Sequence, residues 1–231
     1  MLLNTSFEAF SLMHFLPVLV IFIFFTVLIF YAPKFSKKNQ VLIGFLLSLI
    51  PLAAVLTRMI MLIIGGSFNY KEDLPLHLCR VVAFMLPAVM WTQNRLWIGV
   101  LYFFIVGGTL QAVITPELSD GPDSIHYYLY WLVHAWMVGI PIYAIISYKI
   151  HIKWQDFWRA VIYINGYLII AHIINYILGS NYFYTMRKPP VESILDMLGP
   201  WPIYIFIVEL IAVFLFLVLM IPFKIKKPLS G

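Results

Sequence analysis

Cysteine, charge and recognisable catalytic motifs are all scarce in this sequence. Only 11% of its 231 residues are charged, whereas 63% are hydrophobic, and the mean hydropathy is +0.94. Soluble domains carry about a quarter charged residues, so this composition excludes an ordinary soluble protein. The single cysteine, Cys79, excludes an intrachain disulfide and leaves either a packed apolar thiol or a reactive one.

The sequence lacks the motifs of metal-binding and phosphate-binding proteins, and its charge pattern does not favour nucleic-acid binding. The histidines lack the HxxxH or HExxH spacing of a metal site, and no glycine-rich phosphate loop is present, so we expect neither a metal nor another cofactor. The net charge of +5 comes from basic residues scattered between apolar runs, which favours membrane orientation over nucleic-acid binding. The N-terminal segment carries only Glu8 and no basic region, so the first apolar run is predicted to be a retained span.

Seven apolar runs approach the length of about 20 residues that a membrane-crossing helix needs. They predict an all-α fold, in which residues 1–231 form a single integral membrane domain built as a bundle of seven transmembrane helices. The third run is short, which predicts that it starts within the preceding loop or lies at a locally thin site. The predicted spans are His14–Tyr31, Val41–Ile64, Leu76–Trp91, Leu96–Ile114, Ile125–Tyr148, Phe157–Leu178 and Trp201–Phe223.

Basic residues collect on one side of these spans. That side carries Lys34, Lys37, Lys38, Arg95, Lys149, Lys153, Arg159, Lys224, Lys226 and Lys227. The other side carries Lys71, Arg187 and Lys188 together with Glu72, Asp73, Glu117, Asp120, Asp123, Glu192 and Asp196. By the positive-inside rule, the N-terminus is predicted to be outside and the C-terminus cytoplasmic, in a multi-pass protein of the cell (plasma) membrane.

Two basic residues, Arg58 and Arg80, fall within predicted spans. A charge inside the bilayer costs at least a few kcal/mol, so such residues usually face a bundle interior or a wet cavity and have a partner. Glu209 is the only acidic residue that lies deep enough within a span. We therefore predict Glu209 as the partner of these arginines. The pair would either lock helices together as a structural ion pair or form part of a functional cavity.

The polar residues of six spans are predicted to lie in the same outer half of the membrane. Spans two, four and six run outward and place Arg58, Thr109, Gln111, His172 and Asn175 near their outer ends. Spans three, five and seven run inward and place His77, Cys79, Arg80, His126, His134 and Glu209 in their outer halves. Such a layer is typical of a functional site, although single intramembrane histidines and amides more often join helices by hydrogen bonds.

The turn Leu74–Arg80 has the most reactive composition in the chain. Cys79 lies near a predicted helix N-terminus and beside Arg80, and both features favour a thiolate. Arg80 and Cys79 are about 100° apart around the helix, so they are close without being aligned. Either His77 or His134 could act as the base, which predicts a Cys/His pair for nucleophilic catalysis.

Three segments of the chain resemble a known family. LPLHLCR at 74–80, YWLVHAW at 130–136 and RKPPVESILDMLGPWPIYI at 187–205 are similar to the YwaF-like bacterial integral membrane proteins, which are grouped with the eukaryotic transmembrane protein 164 family. The resemblance covers the chain from roughly span two to span seven and fits the seven-span count. It implies an acyltransferase that moves a fatty acyl chain between phospholipids through a cysteine and a histidine.

The resemblance assigns roles to particular residues. Cys79 matches the nucleophile and His134 the base, with His126 as a neighbouring histidine that could be confused with it. It implies membrane lipids as substrate and a thioester intermediate. From its depth, and not from the family, a donor such as Arg80 or Asn175 is expected to stabilise the oxyanion. From their depth, the remaining pocket or orienting groups are expected to be His77, Arg80, Arg58, Gln111, His126, His172, Asn175 and Glu209.

A transporter or solute-binding protein is the alternative. Titratable residues that face a membrane cavity mark many ion pathways, and Arg58, His134, His172 and Glu209 could line a cavity open to the outside. In that case Cys79 would merely be packed. The chain shows no inverted repeat and no paired broken helices, which disfavours transport. A purely structural or partner-binding role is a third reading, which the clustering of ionisable groups disfavours.

Overall fold

The long apolar runs of the sequence form long helices. The computed structural model describes residues 6–189 and 194–225, and within them it is helical with no β-strand beyond one isolated bridge between Ser6 and Asp120. Its helices are α1 (Leu12–Tyr31), α2 (Lys37–Ile64), α3 (Leu78–Thr92), α4 (Arg95–Tyr102), α5 (Leu110–Ile114), α6 (Ile125–Val133), α7 (Ala135–Ser147), α8 (Trp154–Leu178) and α9 (Ile203–Ile225).

Six helical stretches of this part of the chain are long and apolar enough to cross a membrane. They are Leu12–Lys34, Lys37–Ile64, Arg95–Ile114, Ile125–Ser147, Trp154–Leu178 and Ile203–Lys224. Each corresponds to a predicted span within a few residues. The third predicted span is instead α3, an apolar helix of 15 residues. The chain is therefore an all-helical, multi-pass membrane protein.

Two of the long stretches are interrupted. Between α4 and α5 the residues Phe103–Thr109 form a π-helical segment, and between α6 and α7 the helix breaks at His134, whose φ and ψ are −96° and −65°. π-helical segments in α-helices are frequently found at functional sites. Both interruptions lie in the helices that surround α3, because α3 packs against α2, α6 and the π-helical segment.

Local sequence signals account for several helix ends. Ser36 caps α2 by accepting a hydrogen bond from the amide of Asn39 at 3.3 Å, and Asn94 caps α4 by accepting from the amide of Trp97 at 3.3 Å. Gly179 ends α8 in a left-handed conformation with φ of +63°. These are the residue types that such ends require.

A glycine in the π-helical segment permits a close helix contact. A Cβ atom at Gly107 would lie 2.6 Å from the ring of Phe216 in α9, so a larger residue here would force the two helices apart. The sequence FFIVGGT therefore lets α9 pack directly on the interrupted helix.

An ion pair with a buried carboxylate joins the N-terminal ends of α4 and α8. Both terminal nitrogens of Arg95 donate to the fully buried carboxylate of Asp156 at 2.7 Å, and the backbone amide of Lys153 donates to it at 2.8 Å. Arg159 lies farther away, with 3.7 Å between its guanidinium and the carboxylate. The sequence analysis assigned Arg95 only to the basic side of the membrane and did not predict this pair.

Replacing Arg95 by glutamine is expected to lower the free energy of unfolding by about 3 kcal/mol, because it leaves the buried carboxylate of Asp156 without its principal partner. Replacing Arg159 by glutamine should cost about 1 kcal/mol or less, since its contact with the carboxylate is 3.7 Å long and includes no hydrogen bond. Unfolding in detergent measures both variants. Equal losses in the two variants would contradict the assignment of Arg95 as the principal partner.

Some residues used in the sequence analysis lie outside the described ranges. Glu192, counted on the acidic side, and Lys226 and Lys227, counted on the basic side, are among them. Residues 190–193 of the third family-like segment also lie outside them.

Candidate functional site

Cys79 lies in the first turn of α3, two residues after the chain leaves the loop at His77. Its thiol is half-buried, and the sulfur lies 3.5 Å from the hydroxyl oxygen of Thr109. In the described part of the chain, no backbone carbonyl accepts a hydrogen bond from the amides of Leu78 and Cys79, and the amide of Cys79 faces its own sulfur. These are the free donors that the start of every helix presents. The thiol is thus placed beside a hydroxyl group and unpaired amide groups.

The π-helical segment positions the hydroxyl group. Thr109 is the last residue of that segment and is buried, with 2% of its surface exposed. The wider turn rotates the residues that follow it relative to a continuous α-helix. Thr109 was placed in the outer polar layer from the sequence, but its contact with the thiol was not predicted.

His134, at the break between α6 and α7, is held in one tautomer. The carbonyl oxygen of Tyr130 lies 2.9 Å from Nδ1 of His134 and also accepts the backbone amide of His134 at 2.9 Å. A carbonyl oxygen only accepts, so the neutral ring carries its proton on Nδ1 and leaves the lone pair of Nε2 free. This is the form that a general base requires.

His77, two residues before the thiol, is a half-buried neutral histidine. Burial, together with the nearby charges of Arg80, Arg58 and His134, lowers the pKa of His77 to about 4. His77 is therefore neutral near pH 7, and His134 lies within electrostatic range of it. No hydrogen bond joins Cys79 directly to His134, whose ring instead stacks on Tyr130 with 4.2 Å between centroids.

Two tyrosines of the loop after α8 cover His77. The rings of Tyr182 and Tyr184 lie 5.3 and 5.6 Å from the ring of His77. Burial and the carboxylate of Glu117, which accepts a hydrogen bond from Tyr184 at 3.0 Å, raise the pKa of Tyr184, and a thiolate at Cys79 would raise it further. Tyr184 therefore lies close enough to sense the charge of Cys79. The sequence analysis did not identify either tyrosine.

Asn175 organises this loop and is not an oxyanion donor. Its amide nitrogen donates to the carbonyl of Tyr182 at 2.7 Å and to the hydroxyl of Thr185 at 2.8 Å. Its amide oxygen accepts from the hydroxyl of Ser180 and the backbone amide of Tyr182, both at 2.7 Å. The prediction that Asn175 stabilises an oxyanion is wrong, because both of its amide hydrogens are already committed to the loop.

Replacing Asn175 by leucine is expected to destabilise the protein by roughly 3 kcal/mol or more, because it leaves several buried polar groups of the loop without partners. Thermal unfolding in detergent measures the loss. Gln111→Leu is the matched control, since Gln111 is an exposed amide whose side chain makes no hydrogen bond in the described structure. Similar unfolding temperatures for the two variants would contradict this role of Asn175.

Arg58 and Arg80 stabilise the loop before α3. Arg58 forms an ion pair with Asp73 at 3.0 Å, and one terminal nitrogen of Arg80 donates to the carbonyls of residues 72–74 at 3.2 to 3.3 Å. The prediction that Glu209 pairs with these arginines is wrong, since Arg58 pairs with Asp73 and Glu209 accepts a hydrogen bond from Asn165. The same nitrogen of Arg80 is occupied by the loop, so the expected oxyanion role of Arg80 receives no geometric support.

The other predicted pocket residues do not converge on the thiol. Glu209 accepts a hydrogen bond from Asn165 at 2.9 Å, in a separate contact between α8 and α9. Gln111 is exposed, and His126 and His172 are half-buried with no hydrogen bond from either ring in the described structure. Their depth along the helices predicted one layer, but depth does not determine the direction in which a side chain leaves its helix.

His14, to which the sequence analysis assigned no role, uses both ring nitrogens in hydrogen bonds to the backbone. His14 is 3% exposed, its Nε2 donates to the carbonyl of Val113 at 2.8 Å, and its Nδ1 accepts from the amide of Phe10 at 3.1 Å. Both nitrogens are used, so His14 joins α1 to the end of α5. The described residues contain no group of three or more histidine, cysteine, aspartate or glutamate side chains that could hold a metal ion.

Comparisons with other proteins add a family match and one relative. The model of the TMEM164 family matches residues 9–220. A protein of Treponema pallidum (strain Nichols), described as uncharacterized, is 26% identical over 159 residues, which are 68% of this chain and 64% of that relative. The chain thus spans less than two thirds of the length of this relative. No solved structure matches the chain.

Proposed function

Because the chain belongs to the TMEM164 family, we propose that it is a membrane-embedded acyltransferase that moves a fatty acyl chain between phospholipids through Cys79 and His134. The observation that carries the proposal is the protonation form of His134. Its Nδ1 is held on the carbonyl of Tyr130, which leaves Nε2 free to accept a proton in the helix next to the thiol.

The first half-reaction transfers the acyl group to the protein. His134 Nε2 takes the proton of the Cys79 thiol while the sulfur attacks the ester carbonyl carbon of a phospholipid. The carbonyl electron pair moves to oxygen, the tetrahedral intermediate collapses, and the bond to the glycerol oxygen breaks. His134 returns the proton to that oxygen, so the products are a Cys79 thioester and a lysophospholipid.

The second half-reaction regenerates the thiol. The hydroxyl group of a lysophospholipid loses its proton to His134 Nε2 and attacks the thioester carbonyl. The carbon–sulfur bond then breaks, and the proton passes from His134 to the sulfur. The proposal requires Cys79 and His134 to approach when substrate is bound, because catalytic hydrogen bonds are often long in the free enzyme.

The start of α3 is the proposed site of oxyanion stabilisation. The proposed donors are the backbone amides of Leu78 and Cys79 at the start of α3 and the hydroxyl of Thr109, whose oxygen lies 3.5 Å from the sulfur. Preorganised donors of this kind can account for a large part of the rate enhancement in acyl transfer. Arg80 would act indirectly, by holding the loop that leads into α3.

We further propose a seven-segment topology in the plasma membrane, with α3 as the short third segment and the N-terminus outside. The alternation of basic and acidic loops supports this orientation. A single cysteine introduced at Glu117 in a Cys79→Ser background should react with an impermeant maleimide added to intact cells, whereas one at Lys38 should react only after permeabilisation. The reverse pattern would refute the orientation.

The transport alternative is less well supported by the described contacts. It required Arg58, His134, His172 and Glu209 to line one cavity. Instead, Arg58 pairs with Asp73 and Glu209 with Asn165. These contacts divide the charged groups between separate parts of the fold, so we do not adopt transport as a second proposal.

The test of the proposed function is acyl transfer by the purified protein in vesicles. A phospholipid carrying an isotopically labelled acyl chain serves as donor and an unlabelled lysophospholipid as acceptor. We expect the label to appear in the acceptor without any added acyl-CoA. If no label moves under any headgroup or chain length supplied, the proposed function is wrong.

A further inference from the structure

An apolar crevice runs between α1 and the helices next to the proposed site. Its volume is about 250 Å³, and its walls come from Val18–Ile29 on α1, from Leu110 and Val113 on α5, and from Ala135–Ile142 on α7. The single polar side chain among its lining residues is Thr26, whose hydroxyl donates to the carbonyl of Phe22 at 2.7 Å. The crevice therefore presents a hydrocarbon surface inside the membrane-spanning region.

The dimensions of the crevice fit one hydrocarbon chain. Eleven residues separate Val18 from Ile29, which corresponds to about 16 Å along a helix, or roughly half of a hydrocarbon core about 30 Å thick. The volume is below the range of pockets that enclose whole drug-sized ligands. A single acyl chain of one leaflet matches both the length and the volume.

The crevice begins beside the two groups proposed for catalysis. Ala135 is the chain neighbour of His134, and Leu110 is the chain neighbour of Thr109. From Ala135 the wall continues along α7 through Val138 to Ile142, away from His134. A chain whose ester lies at the catalytic layer would thus have an apolar path leading away from it.

An unpaired polar group lies at the same end of the crevice. Trp131 is 2% exposed, and its indole nitrogen Nε1 has no hydrogen-bond partner. The indole packs in one cluster with Val113 and Ala135, which also line the crevice. Trp131 itself is not among the lining residues, so this cluster supports the crevice wall from behind.

We propose that this crevice binds one fatty acyl chain of the phospholipid substrate. The inference rests on the proposed function for the identity of the lipid as substrate. It adds a binding subsite, so the size and shape of the crevice would select among acyl chains. Val138, in the middle of the α7 wall, is then a specificity-determining residue.

The test uses photo-crosslinking in the Cys79→Ser variant, so that binding is measured without chemistry. The probe is a phosphatidylcholine with a diazirine at the middle of one acyl chain, incorporated into vesicles with the protein. We expect labelled peptides to come preferentially from Val18–Ile29 and Ala135–Ile142. Val138→Trp and Thr26→Phe, which fill the crevice from opposite walls, should each reduce this labelling severalfold.

The matched control is Ile169→Trp, a substitution of an exposed apolar residue of α8, which should leave crevice labelling unchanged. Labelling of α8 equal to that of the crevice in every variant would mean that only surrounding bilayer lipid is detected, and would overturn the inference. This result is distinguishable from failure of the proposed function. Crevice labelling without any acyl transfer would support the lipid-binding crevice and refute the proposed acyltransferase activity. Acyl transfer with uniform labelling would support the activity and refute the crevice as a binding site.

Discussion

Replacing Cys79 by serine is expected to reduce acyl transfer in vesicles by roughly 10³-fold or more, the scale seen when covalent enzymes lose their nucleophile. Serine keeps the shape of the side chain and can still form a hydrogen bond with Thr109. Its hydroxyl is much less acidic than a thiol, so His134 cannot generate the nucleophile as effectively. The measurement is the initial rate of label transfer from phospholipid to lysophospholipid.

A stability measurement accompanies this variant. The thiol makes one weak contact, to Thr109, so the unfolding temperature of Cys79→Ser in detergent should match that of the wild type. A well-folded variant that transfers acyl chains at the wild-type rate would remove Cys79 from the mechanism. A cysteine that is merely packed, as in a transporter, would also tolerate the change without loss of function.

Replacing His134 by glutamine is expected to slow the formation of the thioester by about 10²- to 10⁴-fold, the usual contribution of a general base. Glutamine can preserve a hydrogen bond to the carbonyl of Tyr130, but it cannot take the proton of the thiol. The measurement is the single-turnover rate of acylation of Cys79 at saturating phospholipid. Both half-reactions use His134, so the deacylation rate should fall as well.

His77→Gln is the control that distinguishes the two candidate bases. His77 touches the loop tyrosines and has no ring hydrogen bond in the described structure, so its loss should mainly disturb the fit of that loop. We expect a much smaller fall in the acylation rate than for His134→Gln. If His77→Gln had the larger effect, His77 would be the base and the fixed protonation form of His134 would be irrelevant.

The positions of the long helices could be predicted from the sequence because apolar length alone determines them. The bounds Arg95–Ile114 and Ile125–Ser147 lie within a residue of the predicted spans. The interruptions within these helices could not be predicted in this way. A π-helical segment at Phe103–Thr109 and a break at His134 depend on how neighbouring helices pack, and hydropathy carries no such information.

Only part of the candidate site could be predicted from the sequence. Cys79 and His134 were identified through composition and family resemblance; the structure places Cys79 in the first turn of α3 and His134 at the break between α6 and α7. The ion-pair partner of Arg58 was missed because depth was considered only along the spans, whereas Asp73 reaches it from a loop that folds back. The contacts of Asn175 with the loop after α8 were not predicted, because that loop has no periodic sequence pattern.

The roles of Tyr130, Tyr182 and Tyr184 were also beyond sequence reasoning. Aromatic residues are abundant in this chain, and most are expected at the membrane interfaces. Only the fold shows that Tyr130 fixes His134 through its backbone and that the loop tyrosines pack on His77. A backbone carbonyl that selects a histidine tautomer leaves no signature in the amino-acid sequence.

The central claim is a thioester at Cys79, and intact-mass spectrometry of the detergent-purified protein tests it most directly. After incubation with phospholipid, the wild type should gain the mass of one fatty acyl group. Neutral hydroxylamine should remove that mass, and Cys79→Ser should never acquire it. An adduct that persists in Cys79→Ser, or a wild-type protein that transfers acyl chains yet remains unmodified when the acceptor is withheld, would contradict the account.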